Sequence, residues 1–322
     1  MKKLFIKISR LLGFEIIDQN NFYSPTLKKE LNDDLSSFNK KSIILPLGEV
    51  KITRKISSVL IVLRMNTDIG IWDQNKKRLF EEPKVEYSAR SIKSLLSSIE
   101  YCQDKYPNLK IKTIIIDDNS SEKNLNRIKE LIKKKDVEIV SLNHKEYEQI
   151  IKKQKKQETF SNLASLLKSF EIGKKSGEDL IFFVEDDYLH FESMLEEVVT
   201  TYERIASQIG KDIFMCPSDY PYLYMNNEKT NVLIGNRRHW RTINKTLCTF
   251  ITTKNLLDSY WNNFYKTCLD RHDPFEKYLN EIYSKEICIS PLKSLSLHIT
   301  NINSSYGLSP FIDIKEMWEK NS

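Results

Sequence analysis

The chain has 322 residues, 29% of them charged and 40% hydrophobic, and a formal net charge of +6. That length allows one large domain or two small ones around a sizeable core, and the balance is that of a globular protein rather than a disordered or fibrous one. The five cysteines, Cys102, Cys216, Cys248, Cys268 and Cys288, are odd in number and lack CxxC spacing, which argues against a disulfide framework or a zinc site and for a reducing compartment.

The N-terminus, "MKKLFIKISRLLGF", places Leu4, Phe5, Ile8, Leu11 and Leu12 at helical spacing, with Lys2, Lys3, Lys7 and Arg10 largely on the other side. It has neither a long apolar core nor a small-residue cleavage site, so it does not read as a signal peptide. Either it packs on the domain as an ordinary helix, or it lies on a membrane surface. No stretch of the sequence reaches the ~20 apolar residues that span a bilayer. Residues 1–55 read as an N-terminal extension in which "SIILPLGEVKITRKI" supplies one or two short strands.

From residue 56 the pattern changes. "SSVLIVLRMN" (57–66) is a near-continuous aliphatic run, as expected of a strand buried on both faces. A helix follows over 86–106, with Ile92, Leu95, Leu96 and Ile99 on one face. "IKTIIIDDNSS" (111–121) is a second buried strand, "EKNLNRIKELIKKK" a second helix and "VEIVSL" (137–142) a third strand. The Lys-rich segment 144–158 reads as a solvated helix or loop, and "FSNLASLLKSFEIGKKSG" as a helix leading into the strand "DLIFFVEDD". Strand and helix therefore alternate to about residue 190. That order predicts an α/β fold with a Rossmann-like, mostly parallel sheet flanked by helices and joined by right-handed crossovers.

In such a sheet, ligands bind at the carboxyl ends of the strands. Three strands here end in polar or acidic groups: Asn66 with Asp68, Asp117 with Asp118, and Glu185 with Asp186 and Asp187. Three adjacent carboxylates repel one another unless a cation offsets the charge. The triple is thus either a solvated turn or a divalent-metal site. Neither GxGxxG nor GxxxxGK[ST] occurs, which disfavours a dinucleotide-binding domain or a P-loop enzyme. Any bound nucleotide then needs another neutralising group, and Mg²⁺ or Mn²⁺ held by Asp187 would suit phosphate oxygens.

The pairing of "IIIDDNSS" with a later "FFVEDD" resembles the nucleotide-sugar glycosyltransferases of the A-type fold, most closely the inverting family-2 group. The resemblance spans roughly residues 57–312. It implies a glycosyltransferase domain over 56–315, with a nucleotide-binding half (56–190) and an acceptor-side half (191–315). It also implies that Asp118 contacts the nucleobase, with Asn66, Asp117 and Asp186 nearby in the nucleotide site. The family's DxD motif appears as Glu185-Asp186-Asp187, with Asp187 and Glu185 as ligands of Mn²⁺ or Mg²⁺. Two further features are carried over: a catalytic carboxylate at Asp273 in "DRHDPFEKYLNEIY", and a metal-ligating histidine at His298 in "SLSLHITN". Each residue has an ordinary structural alternative. Asp273 could cap a helix, and His298 could be a core histidine. Arg237, Arg238 and Arg241 are candidates for the donor diphosphate because guanidinium forks fit phosphate oxygens, or else surface charges beside core packing.

The expected reaction is transfer of a sugar from a nucleoside-diphosphate sugar to a glycan or lipid-linked acceptor hydroxyl, with inversion. The expected setting is surface polysaccharide or glycolipid synthesis in the cytoplasm, with possible peripheral contact to the inner membrane face through residues 1–14. A sugar nucleotidyltransferase is the rival enzyme, but the place of its Gly-rich loop reads "RMNTDIGIWDQNKKR", with one glycine. A non-catalytic polyanion-binding protein is the rival of another class. The Lys-rich segments 123–135 and 145–156 contain only Tyr147 as an aromatic and both carry Glu, so they read as solvated faces and no nucleic-acid partner is expected.

Overall fold

The structure, a computed structural model, describes residues 2–14, 16, 35–44, 48–68, 78–220, 223–224, 227, 229–300 and 312–322. The N-terminal segment contains helix α1 (Lys2–Leu11) and strands β1 (Ser36–Ser37), β2 (Lys41–Ile44) and β3 (Gly48–Lys51). The three strands form a small antiparallel sheet of their own.

The alternating region follows in the expected order: β4 (Ser58–Met65), α2 (Lys84–Lys105), β5 (Lys110–Asp117), α3 (Glu122–Ile132), β6 (Val137–Ser141), α4 (Gln157–Ser176) and β7 (Leu180–Glu185). These four strands are parallel and lie in the order β6-β5-β4-β7. All eight residues of β4 are buried, because β5 and β7 flank it and helices cover both faces. The Lys-rich segment forms only a 3₁₀ turn at His144–Glu146 before α4, with Tyr147 and Ile151 buried beneath it. Helix α4 lies close on β7 at Gly173, where a Cβ would fall 2.7 Å from the Phe183 ring.

The second half adds β8 (Tyr188–His190), α5 (Met194–Ile209), β9 (Phe214–Met215), β10 (Val232–Ile234), β11 (His239–Ile243), β12 (Phe250–Thr253), α6 (Lys254–Ser259), α7 (Trp261–Leu269), α8 (Lys277–Tyr283), β13 (Cys288–Pro291), β14 (Ser296–His298) and α9 (Ile314–Lys320). Five of these strands extend the same sheet, giving the order β10-β11-β13-β9-β12-β7-β4-β5-β6. Only β11 and β12 run against the common direction, so the nine-stranded sheet is mostly parallel. One large apolar cluster sits on each face: Ile61, Phe182 and Ile251 point into one, and Val62, Phe183 and Phe250 into the other. Strands β8 and β14 pair separately, with Tyr188 opposite His298.

The N-terminal segment is joined to the domain by buried polar contacts. The Glu203 carboxylate on α5 accepts from the backbone N–H groups of Ile56 (2.8 Å) and Asn39 (2.9 Å). Burial nevertheless raises this carboxyl to about 7. The folded state therefore holds a proton that the unfolded chain releases near 4.5. The associated stability is fully present below 4.5 and is lost as pH rises to about 7. Thermal unfolding should accordingly show a melting temperature that declines over this window. In Glu203→Gln that part of the slope should vanish, whatever its absolute melting temperature; an unchanged slope would show that Glu203 does not titrate there.

Candidate active site

The order β6-β5-β4-β7 fixes the location of the site. Chain connections leave β4 in one direction towards β5 and β6, then return through α4 to β7 on its other side. A crevice opens at the carboxyl ends where the order reverses. Register brings Met65 level with Asp117, and Arg64 level with Glu185. The acidic strand ends thus share one edge, and a cavity of about 260 Å³ lies there. Asn66, Asp118, Glu185, Asp186, Asp187 and His298 all line it.

The loop after β7 is fixed by serines on α2. Ser88 Oγ donates to Asp186 (2.5 Å), while Ser94 Oγ accepts from the His190 N–H and Ser98 Oγ from the Leu195 N–H. Lys84 Nζ also reaches Asp186 (2.5 Å). Asp186 is therefore committed to holding the loop against α2, and it accepts from the Asn66 N–H as well (3.3 Å). Glu185, expected from the sequence as a metal ligand, instead turns the other way. It pairs with Arg64 (2.8 Å), whose other nitrogen is bound to Asn162 and Ser165. Burial pushes the Glu185 carboxyl up, and Arg64 opposes the shift.

Asp187 has a different environment. His298 Nε2 lies 3.5 Å away, although 111 residues separate the two in sequence, because β14 pairs with β8. The His298 ring stacks on Tyr188 at 4.6 Å. Thr300 donates to Asp187 Oδ2. Burial alone would raise the Asp187 carboxyl, but the His298 charge, assisted by Lys84 and Thr300, takes it well below the usual carboxylate range. Two buried atoms in this pair have no hydrogen-bond partner: Asp187 Oδ1 and His298 Nδ1. A buried polar atom without a partner is costly, so a ligand or water that satisfied these two atoms would be favoured here.

A carboxylate oxygen and an imidazole nitrogen fit a divalent ion of the Mn²⁺ or Mg²⁺ type. Among the described residues, no group of three or more His, Cys, Asp or Glu side chains is placed to hold a metal ion. Such ions normally keep water and substrate phosphates in their remaining positions, so two protein ligands suffice. Charge points the same way. Five carboxylates line the cavity (Asp118, Glu158, Glu185, Asp186 and Asp187) against Arg64, Arg78, Lys84 and the charged His298, an excess of one negative charge. The excess would repel a diphosphate unless a cation entered with it.

Asp118 stands at the other end of the cavity. Its Oδ1 lies 2.6 Å from His144 Nε2, and Ser161 Oγ donates to its Oδ2. Asp117 is buried behind it, with its carboxyl raised by burial and hydrogen bonds from Ser120 opposing. Asp68 takes a structural role, accepting from Ser121 N (2.6 Å) and Asn124 at the start of α3.

Five sequence candidates fall outside the cavity lining: Asp117, buried behind Asp118, and four more distant residues. Asp273 is exposed in the loop before α8. Arg237, Arg238 and Arg241 lie on or beside the β10–β11 hairpin, and β11 is four strands from β7, or roughly 19 Å at ~4.8 Å per strand. Each guanidinium has partners there: Arg237 lies 3.8 Å from Glu196, Arg238 donates to the Lys293 carbonyl (2.8 Å), and Arg241 pairs with Asp219 (2.9 Å). Conversely, several residues in or around the cavity were not singled out from sequence: Arg64, Arg78, Lys84, His144, Thr300 and Glu276. Arg64 carried a signal, since a cation inside a strand buried on both faces requires a buried partner. Glu276, at the start of α8, is half-buried, and burial raises its carboxyl to about 7. The charges of Glu185 and His298 both act on it.

No protein-family model matches the sequence, and no curated protein matches it. Among solved structures, S. aureus TarS 1–349 is similar at 12% identity, over 63% of this chain and 48% of that one, with a TM-score of 0.35. The chain thus spans about half the length of that protein. The glycosyltransferase GlyE of Streptococcus pneumoniae TIGR4 is similar at 9% identity, over 81% and 59% of the two chains, with a TM-score of 0.43. The inositol-1-phosphate CTP transferase of T. maritima is similar at 9% identity, over 83% and 96%, with a TM-score of 0.40. Glycosyltransferases and nucleotidyltransferases both occur among these matches, and the likeness is one of fold alone.

Proposed function

We propose that the chain is a metal-dependent glycosyltransferase that moves a sugar from a nucleoside-diphosphate sugar to a hydroxyl of a glycan or lipid-linked acceptor, with inversion at the anomeric carbon. Its setting would be surface polysaccharide or glycolipid synthesis in the cytoplasm. The observation that carries this reading is the pair of partnerless buried atoms, Asp187 Oδ1 and His298 Nδ1, in a carboxylate-rich cavity at the strand-order reversal.

In this reading Asp118 and Asn66 bind the nucleobase and ribose, and His144 and Ser161 hold the Asp118 carboxylate in place. Asp187 and His298 hold Mn²⁺ or Mg²⁺, while Glu185 neutralises Arg64 at the floor. The bound ion would offset charge on the departing diphosphate. Arg78, which lines the cavity, is the guanidinium we assign to the diphosphate. Glu276 takes the proton from the acceptor hydroxyl. A base with a pKa near the operating pH combines availability with driving force.

A thermal-shift panel of UDP-, GDP-, CMP- and dTDP-sugars, with and without Mn²⁺, tests the reading. A ligand that binds the folded state raises its melting temperature, by an amount set by concentration over Kd. At least one donor should raise it more with Mn²⁺ than with EDTA. No shift with any donor would remove the reading. Pyrophosphate release from a nucleoside triphosphate and a sugar phosphate would replace it with nucleotidyl transfer.

A further inference from the structure

Helix α1 turns its apolar stripe away from the protein. Leu4, Phe5, Ile8 and Leu11 are 62%, 65%, 46% and 82% exposed, and Leu12 and Phe14 beyond the helix are each 69% exposed. Seven of the twelve exposed large hydrophobics among the described residues lie within residues 4–16, so this is one patch rather than scattered surface apolars. At 3.6 residues per turn, the four helical positions fall within an arc of about 120°. The side of the helix that is covered carries buried Ser9 and half-buried Ile6. A helix packed on its own domain does the reverse, burying the wide apolar stripe and exposing the polar edge.

The charges select what covers the stripe. Lys7 and Arg10 are exposed along one border, Lys2 and Lys3 belong to the same basic run, and residues 2–14 contain no Asp or Glu. A second copy of the chain meeting this face across a two-fold axis would bring the two basic runs together. An anionic leaflet has the complementary sign, and it accepts apolar side chains just beneath its phosphates. Ten residues of helix span about 15 Å, half the hydrocarbon thickness, and no helix among the described residues is long and apolar enough to cross a membrane. The geometry points to an in-plane anchor: α1 lies in the surface of an anionic bilayer, with Leu4, Phe5, Ile8 and Leu11 among the acyl chains and Lys7 and Arg10 at the headgroup phosphates. The anchor does not depend on the transferase reading and would stand if that reading failed.

Co-sedimentation of the full chain with vesicles tests this, using phosphatidylcholine alone and phosphatidylcholine mixed with phosphatidylglycerol. The chain should pellet with the anionic vesicles far more than with the neutral ones, and less as salt is raised. Lys7→Glu with Arg10→Glu should lower partitioning by roughly 30-fold or more. Phe5→Ser with Leu11→Ser should lower it at least about ten-fold. Both variants should keep the parental melting temperature, because the side chains they change are exposed. A full chain that stays in the supernatant with anionic vesicles at low salt overturns the inference. So does binding indifferent to Phe5→Ser with Leu11→Ser. A dimer in light scattering that this same variant converts to a monomer would instead make a second copy the occupant.

Discussion

Asp187→Ala should abolish the advantage that Mn²⁺ gives to donor binding and turnover, lowering kcat/KM by about 10²-fold or more in the presence of metal. The expectation rests on division of labour within the triple. Asp186 is held by Lys84 and Ser88, and Glu185 by Arg64, so neither is free to take an ion without dismantling the loop. Of the three, Asp187 alone presents a buried oxygen without a partner, and the neighbouring His298 carries a partnerless Nδ1. Asp187→Ala also removes the Thr300 and His298 contacts, so some loss of melting temperature is expected from structure alone. The decisive quantity is therefore the difference between Mn²⁺ and EDTA, measured on each protein. That difference should be large in the parent, absent in Asp187→Ala, and reduced in His298→Ala. Glu185→Gln should retain it, because Glu185 serves Arg64. Equal donor affinity with Mn²⁺ and EDTA in the parent would end the metal assignment.

Much of this site could be read in the sequence because its scaffold is written in apolar runs. "VLIVL", "TIII" and "LIFFV" are too uniformly apolar for a half-exposed sheet, and once they are parallel neighbours their acidic ends must share an edge. The division of roles inside the triple was not legible. It depends on which way each carboxylate turns, and that is decided by Lys84 and Ser88 on one side and Arg64 on the other. The approach of His298 to Asp187 came from family resemblance, since no periodicity reveals that β14 pairs with β8. Assigning Arg237, Arg238 and Arg241 to phosphate followed the chemistry of the guanidinium without its location. The hairpin that carries them sits towards the far edge of the sheet, where Glu196, Asp219 and backbone carbonyls engage them. The stripe Ser88, Ser91, Ser94 and Ser98 likewise reads as an undistinguished helix face, yet three of its four hydroxyls hold the segment after β7, at Asp186, His190 and Leu195.

The identity of the base separates two carboxylates three residues apart. Family resemblance favours Asp273, but that side chain is exposed in the loop; neither it nor Glu276 is in the cavity lining, so burial is what separates them. Glu276 is half-buried at the start of α8, within electrostatic reach of Glu185 and His298. Burial raises its carboxyl to about 7. Removing a general base typically costs about 10²–10⁴-fold, so Glu276→Gln should cut kcat by that order while donor affinity changes little. Asp273→Asn should leave kcat within a few-fold of the parent. The sign of the pH dependence follows from the need for an ionised base: the parental rate should rise as pH passes through about 7 and flatten above it. Glu276→Gln should lose that rising limb as well as the rate. Measuring kcat, donor KM and the pH profile on both variants keeps catalysis distinct from structure, because a merely structural Glu276 would lower the melting temperature and leave the profile's shape unchanged. If Asp273→Asn shows the large kcat loss and Glu276→Gln does not, the proton passes to Asp273, and the loop before α8 must then turn inward when the acceptor binds. A product that keeps the donor's anomeric configuration would remove the general-base role from both residues, since direct displacement by an activated hydroxyl inverts that centre.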